Sequence, residues 1–248
     1  MSMQTVLSYG GGRQTVAMCV LIVRGVLPKP DRIVMADTGR EASSTWDYLS
    51  DHVQPLLASV GLSVEVAPHS LATVDLYAHN GDLLLPVYTE SGKLPGYCSS
   101  EWKRDVVARH LRASGATSGE MWIGFALDEG RRIRAQERHG WARRYPLRES
   151  MLTTAGCVEV VKRHGMPEPP ISSCWLCPNR RNEEWLRLTP DEFEQACRSD
   201  EELRAEDMER GGSGVWLHHS RKPLREADLT VREKAGTVRQ CGLGMCFV

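Results

Sequence analysis

Two groups of residues in this 248-residue sequence have types and spacings suited to chemistry. The first is cysteine. Cys174-Trp175-Leu176-Cys177-Pro178 follows a proline-rich breaker and sets two thiols three positions apart in a turn, where both can face one centre. Two thiolates so placed bind tetrahedral zinc or the iron of a cluster, and the remaining ligands must come from elsewhere in the chain. Cys241 and Cys246, five positions apart near the end of the sequence, supply another pair, so zinc on Cys174, Cys177, Cys241 and Cys246 is one assignment. Cys19, Cys157 and Cys197 lie in helical apolar patterns and read as small buried side chains. The second group is Gly10-Gly11-Gly12, which separates the β-favouring Thr5-Val6-Leu7 from apolar residues at helical spacing over 14–21. Glycines there let backbone N–H groups approach a ligand, and the helix start adds unpaired donors, which together suit a phosphate. A tight strand-to-helix turn is the other use of the same residues.

Common phosphate loops do not fit. No lysine follows the glycines as a Walker A loop requires, and Thr15 stands where a dinucleotide fingerprint needs its last glycine.

The elements around these residues alternate. A helix to Arg24 leads to a buried strand over Asp31–Ala36 that runs into Asp37-Thr38-Gly39. A helix over Glu41–Ser59 and a strand over Leu62–Ala67 follow, then a proline- and glycine-punctuated segment, His69–Tyr97, long enough for a functional loop or lid. Ser99–Ser114 reads as helix, Glu120–Leu127 as strand, Asp128–Arg138 and Glu149–His164 as helices, and the acidic stretch from Asp191 as a solvated helix. This pattern predicts a doubly wound, mostly parallel α/β sheet with a cysteine-bearing helical C-terminal region. The expected division is a nucleotide-binding domain over 1–165 and a C-terminal region over 166–248 whose apolar end is docked.

With 31 basic and 32 acidic residues the net charge is −1, which excludes a globally basic nucleic-acid binder, although 131–148 is rich in arginine. No apolar run is long enough to span a bilayer, and strand-like sequence begins at once, so a cytoplasmic protein is expected. There, eight cysteines point to metal, cluster or thiol chemistry rather than disulfides. The eight histidines lack any HExxH spacing, and no GxSxG elbow is present.

Taken together, the motifs resemble the PP-loop adenine-nucleotide alpha-hydrolase superfamily, and within it the phosphoadenosine phosphosulfate (PAPS) reductase-like family. Gly11 and Gly12 fall on the glycines of the SGGxDS loop and Thr15 on its closing hydroxyl, with Gln14 in place of aspartate and Ser8 or Gly10 serving for the first serine. Asp37-Thr38-Gly39 is similar to the family's DTG, with Glu41 and Thr45 behind it; an Asx turn before a helix is the alternative role for Asp37. Cys98 to Lys103 resembles the sulfonucleotide-reductase segment CxxxxK. Gly124 and the following Arg131 and Arg132 resemble GxRxxES, with Ala126 replacing one arginine. Cys241-Gly242-Leu243 resembles the ECGLH tail whose cysteine attacks a sulfonate sulfur, with Gln240 and Gly244 at the flanking positions.

The resemblance covers about residues 4–180 and the tail motif. It implies a protein that binds ATP or PAPS and carries out adenylation-linked sulfur or nitrogen transfer, assisted by a cysteine-bound cluster or metal. Ser8, Gly10, Gly11, Gly12, Gln14 and Thr15 would hold phosphate. Asp37, Thr38 and Gly39 would meet ribose or Mg²⁺, with Gly124 beside them. Lys103, Arg131 and Arg132 would neutralise the leaving group. The family position of Cys98 adds a second metal assignment, a [4Fe–4S] cluster on Cys98, Cys174, Cys177 and one of Cys241 or Cys246. Two alternatives stand beside this reading. One is a true sulfonucleotide reductase with Cys241 as nucleophile; the other is a catalytically weakened nucleotide sensor with structural zinc. The implied partners are an adenine nucleotide and an acceptor that is a nucleic acid or a small molecule, with no membrane. A sulfur-donor protein and a homodimer are compatible with the reading.

Overall fold

The structure, a computed structural model, describes residues 4–133 and 140–231. In chain order its elements are β1 (Gln4–Ser8), α1 (Arg13–Val23), β2 (Arg32–Ala36), α2 (Ser43–Tyr48), α3 (Gln54–Ala58), β3 (Val64–Ala67), β4 (Tyr88–Thr89), β5 (Gly92–Lys93), α4 (Asp105–Ala113), β6 (Gly119–Ile123), β7 (Trp141–Arg144), α5 (Pro146–Glu149), α6 (Thr154–Arg163), α7 (Asn182–Trp185) and α8 (Pro190–Glu209). They form two compact units. Of the described residues, one takes in 4–73 together with those of Ser99–Ser172, the other Val74–Cys98 together with 173–231.

The first unit is α/β. Its five strands pair in parallel in the order β3-β2-β1-β6-β7. Alternation along the strands fills two cores. Leu7, Ile33 and Met35 pack with α1, the stretch from Tyr48 to Leu57, and Cys157 and Val161 of α6, whereas Val6, Val34 and Ala36 pack with Val106, Val107 and Leu111 of α4. Helices therefore cover both faces of the sheet. α1 is buried from Thr15 through Ile22, which explains its near-continuous apolar sequence.

Several boundaries differ from the sequence expectation for identifiable reasons. The expected helix Glu41–Ser59 is α2, a π-helical turn over Leu49–Val53, and α3; Pro55 has no N–H to continue the regular ladder. A second π-helical turn, Ser99–Arg104, leads into α4. β6 ends at Ile123, and a 3₁₀ segment at Leu127–Arg132 replaces the start of the expected helix over 128–138. β7 was not anticipated: within WARR only Trp141 is buried, as befits an edge strand. α6 begins ten residues after Arg144 rather than at Glu149, because Met151 adopts φ 54° and Thr153 caps the helix by accepting from the Gly156 N–H at 3.1 Å.

The second unit joins the short β4–β5 hairpin to the chain near Trp216 through a pair of main-chain hydrogen bonds between Tyr88 and Trp216, 2.8 and 2.9 Å. α8 opens with a capping box of Thr189 and Glu192 and Pro190 in its first turn. It is not wholly solvated. Asp200 is 1% exposed and accepts from the main-chain N–H groups of Leu217 and Leu224, at 2.8 and 3.0 Å, and from Arg204 at 2.7 Å. No described helix is long and apolar enough to cross a membrane.

Candidate functional site

β1 pairs with β2 on one side and β6 on the other, Ser8 lying opposite Val34 and Ile123. The loop that leaves Ser8 therefore emerges at the carboxyl edge where the strand order reverses, the position at which open α/β sheets hold ligands. The three glycines differ there. Gly11 has φ +73°, and a Cβ on it would lie 2.5 Å from Thr45 Cγ2. A Cβ on Gly12 would lie 2.8 Å from Ser172 Oγ, whereas one on Gly10 would meet nothing within 4 Å. Gly11 is thus required by its left-handed backbone and tight packing, a Cβ on Gly12 would displace only the Ser172 hydroxyl, and Gly10 presents an open backbone. α1 starts at Gly12 with no side-chain cap and no acidic residue in its first turn. Thr15 Oγ1 donates back to the Gly12 carbonyl at 3.2 Å, so this hydroxyl supports the turn. The first N–H groups of α1 are left for water or an anion.

The segment after β6 closes against this turn. A Cβ on Gly124 would lie 2.8 Å from Thr15 Cγ2. Gln14 Nε2 and the Ala126 N–H both donate to Glu129 Oε2, at 3.1 and 3.0 Å, while Arg132 Nη1 donates to Glu129 Oε1 at 2.5 Å. Arg132 also lies over the Phe125 ring at 4.2 Å, and Arg131 is exposed on the same 3₁₀ segment. The geometry gathers Gln14, Thr15, Gly124 and Arg132, with Glu129 as the linking carboxylate.

The π-helical turn Ser99–Arg104 delivers Lys103 to the interior. Its Nζ stands 2.7 Å from Glu41 Oε1, which also accepts from Thr38 Oγ1 at 3.3 Å. Lys103, Glu41 and Thr38 are all buried. Glu41 Oε2 and Thr45 Oγ1 are buried with no hydrogen-bond partner. Lys103, Ser8, Tyr9, Gly10, Met35, Ala36 and Val107 line a recess of about 10 Å³, room for one water, so any larger ligand group rests outside its mouth. Asp37 Oδ1 accepts from the Gly39 N–H at 2.7 Å, an Asx turn that places Gly39 at φ +66°.

In the second unit, Cys174 and Cys177 occupy consecutive turns: the Cys177 N–H donates to the Cys174 carbonyl and the Arg180 N–H to the Cys177 carbonyl, both at 3.0 Å. The Arg180 side chain returns to this loop. Nε donates to the Cys174 carbonyl at 3.0 Å, Nη2 to Ser173 at 2.8 Å and Nη1 to Glu184 at 3.1 Å. Burial lowers the Arg180 pKa from the usual arginine range, and the Cys177, Glu184 and Cys174 groups act against that shift. Ser173 Oγ and Trp185 Nε1 are buried with no partner.

Two soft sulfur donors on one turn beside a buried cation fit a thiolate-bound metal or cluster in donor chemistry. Among the described residues, however, no three His, Cys, Asp or Glu side chains converge, so Cys98 is not gathered with this pair. Cys241 and Cys246 lie outside the described residues. The remaining thiols are packing groups: burial pushes Cys19 and Cys157 up to about 12 and Cys197 up to about 11. Sequence reasoning passed over Arg180 and the pairing of Glu41 with Lys103. The first was visible as an arginine three residues after a CxxC; the second required the π-helical register.

No protein-family model matches the chain, and no curated protein matches it. Among solved structures it is similar to the U34-tRNA thiolase NcsA from Methanococcus maripaludis with its [4Fe–4S] cluster, at 11% sequence identity and a TM-score of 0.45, over 85% of this chain and 70% of that one.

Proposed function

We propose that this chain is a PP-loop nucleotide-binding enzyme that performs adenylation-linked sulfur or nitrogen transfer. The observation that carries the reading is the glycine loop after β1, which opens an uncapped helix at the point of strand reversal. Gly10, Gly11, Gly12 and the N–H groups at the start of α1 hold phosphate oxygens. Ser8 lines the recess beneath them, and Lys103 supplies positive charge at its wall. Gln14 and Thr15 shape the loop, and Arg131 and Arg132 meet charge that develops on the leaving group. Asp37, Thr38 and Gly39 form the turn that borders the nucleotide, Asp37 spending one oxygen on that turn.

Adenylation makes chemical sense of such a site. An acceptor oxygen attacks the α-phosphorus of ATP, a P–O bond forms, and pyrophosphate leaves. A sulfur or nitrogen nucleophile then displaces AMP from the activated acceptor. In the second unit Cys174 and Cys177, with cysteines from outside the described residues, hold a cluster or zinc, which when bound supplies polarised thiolate or sulfide sulfur.

Parallel incubation of the anaerobically purified full chain with ATP and with PAPS, each with dithiothreitol as the thiol reductant that would release sulfite, tests the proposal. Pyrophosphate and AMP from ATP are expected. Sulfite and adenosine bisphosphate from PAPS would instead assign a reductase with Cys241 as nucleophile, and tight binding of either nucleotide without product would assign a sensor.

A further inference from the structure

Arg180 is an unusual residue to bury. It is 8% exposed, yet its side-chain hydrogen bonds all go to neutral main-chain carbonyls, those of Ser173, Cys174 and Glu184, and its guanidinium lies over the Trp185 ring at 5.9 Å. Among the described residues no carboxylate forms an ion pair with it. Glu184 contributes only its carbonyl, because its carboxylate is occupied by Arg181, through Nε at 2.8 Å and the main-chain N–H at 3.2 Å. A desolvated guanidinium with no carboxylate in direct contact is costly, and an apolar side chain of similar volume would fill the space at less expense. The groups that favour its charge from nearby include Cys177 and Cys174 beside Glu184 and Glu192, and the loop its side chain grips is the one that carries both cysteines.

We infer that Arg180 is the fixed counter-charge of an anionic dithiolate formed by Cys174 and Cys177, and that its grip on the loop backbone sets both sulfurs toward one soft cation. This rests on the metal-binding part of the proposed function and adds the residue that organises it. Arg180 is a positioning residue. Its guanidinium fixes the Ser173 and Cys174 carbonyls, and the Arg180 N–H fixes that of Cys177, so the backbone on which the thiols stand is held from both sides. Its charge offsets the repulsion between two thiolates brought to one centre.

Cobalt(II) alone, added to the full chain purified anaerobically and stripped of metal, is the probe, with affinity measured by chelator competition. The wild type is expected to show a cobalt–thiolate charge-transfer absorption that is lost when Cys174 and Cys177 are both replaced by serine. Arg180→Gln should weaken cobalt binding by about 10- to 100-fold. Arg180→Lys keeps the charge without the fork and should recover part of that loss. A brace without an electrostatic role predicts equal losses in the two variants, since neither reproduces the fork, and that result overturns the inference. So does wild-type affinity in Arg180→Gln. Should Arg180→Gln fail to fold by circular dichroism, Arg180→Lys decides: affinity within about 10-fold of wild type supports the counter-charge, and a larger loss in a folded protein overturns it. A wild type that binds no cobalt overturns the inference while pyrophosphate release from ATP leaves the nucleotide reading intact. The converse pattern overturns the nucleotide reading alone.

Discussion

The Lys103 ammonium stands 2.7 Å from Glu41 Oε1 in the interior of the first unit, and the other oxygen of that carboxylate has no hydrogen-bond partner. A buried ion pair adds little net stability, but removing one member leaves a stranded charge. Glu41→Ala should therefore lower unfolding stability by about 3–5 kcal/mol in urea titrations. Replacing both members, Glu41→Leu with Lys103→Met, should restore most of that stability and still weaken ATP binding by about 10-fold or more, because a charged donor is missing from the recess wall. Unchanged ATP affinity in the folded double variant would assign the pair to folding alone.

The three glycines should separate in mutational tests. Gly10→Ala meets open space and should melt close to wild type, with its effect confined to ATP affinity in calorimetry. Gly11→Ala needs a left-handed conformation and crowds Thr45, so it should lose about 1–3 kcal/mol of stability before any ligand is added. Equal melting temperatures for the two variants would contradict the loop geometry.

His218 gives the second unit a sensitivity to acid. Burial, and then the neighbouring His219, push its pKa down to about 4, and the neutral ring is held between Ser220 Oγ at 2.7 Å and Asn182 Oδ1 at 3.1 Å. The unfolded chain takes up this proton near pH 6.5, whereas the folded unit resists until about pH 4. Stability from this residue is thus full above about pH 6.5 and falls as pH drops toward 4. Hydrogen-exchange protection factors around residues 216–226, corrected for the intrinsic pH dependence of amide exchange, should fall as pH drops through that window in the wild type, and His218→Leu should flatten the dependence. An identical pH profile in both would remove His218 as the cause.

Asp200 fastens the chain from Leu217 to Leu224 onto α8. Asp200→Ala leaves two main-chain N–H groups and Arg204 without their acceptor, and should cost about 3–5 kcal/mol by denaturant titration. A loss under about 1 kcal/mol would show that water replaces the carboxylate readily.

The strands and helices that bury whole faces were legible in the sequence because their patterns are strong: β1, β2, β3 and α1 lie within two residues of their expected limits. Less regular pieces were not. Nothing in Ser99–Arg104 announces a π-helical turn, yet that wider register is what buries both Trp102 and Lys103. β7 carries two arginines and an alanine after Trp141, so it lacks the apolar alternation that marks a strand, and its place at the sheet edge explains why. Asp200 sits in a stretch so acidic that composition alone pointed to solvent. Its burial follows from two N–H groups supplied by chain segments 17 and 24 residues away. The glycine loop and the CxxC were legible by residue type and spacing, and Arg180 stands three residues after the CxxC, while the contact of Thr45 with Gly11 and the return of the Arg180 side chain to the Ser173 and Cys174 carbonyls depend on the folded turns.

The second unit is discontinuous in the chain, and this has a consequence for biosynthesis. Val74–Cys98 leaves the ribosome long before its complement, and Tyr88 must wait about 130 residues for Trp216. The parallel sheet, by contrast, has all of its strands once Arg144 has emerged. Vectorial synthesis therefore favours a nascent chain whose nucleotide loop can form early, with the hairpin unpaired until the final third is made. Cys174 and Cys177 would then acquire their surroundings last, so any ion they capture would be loaded after the sheet has closed.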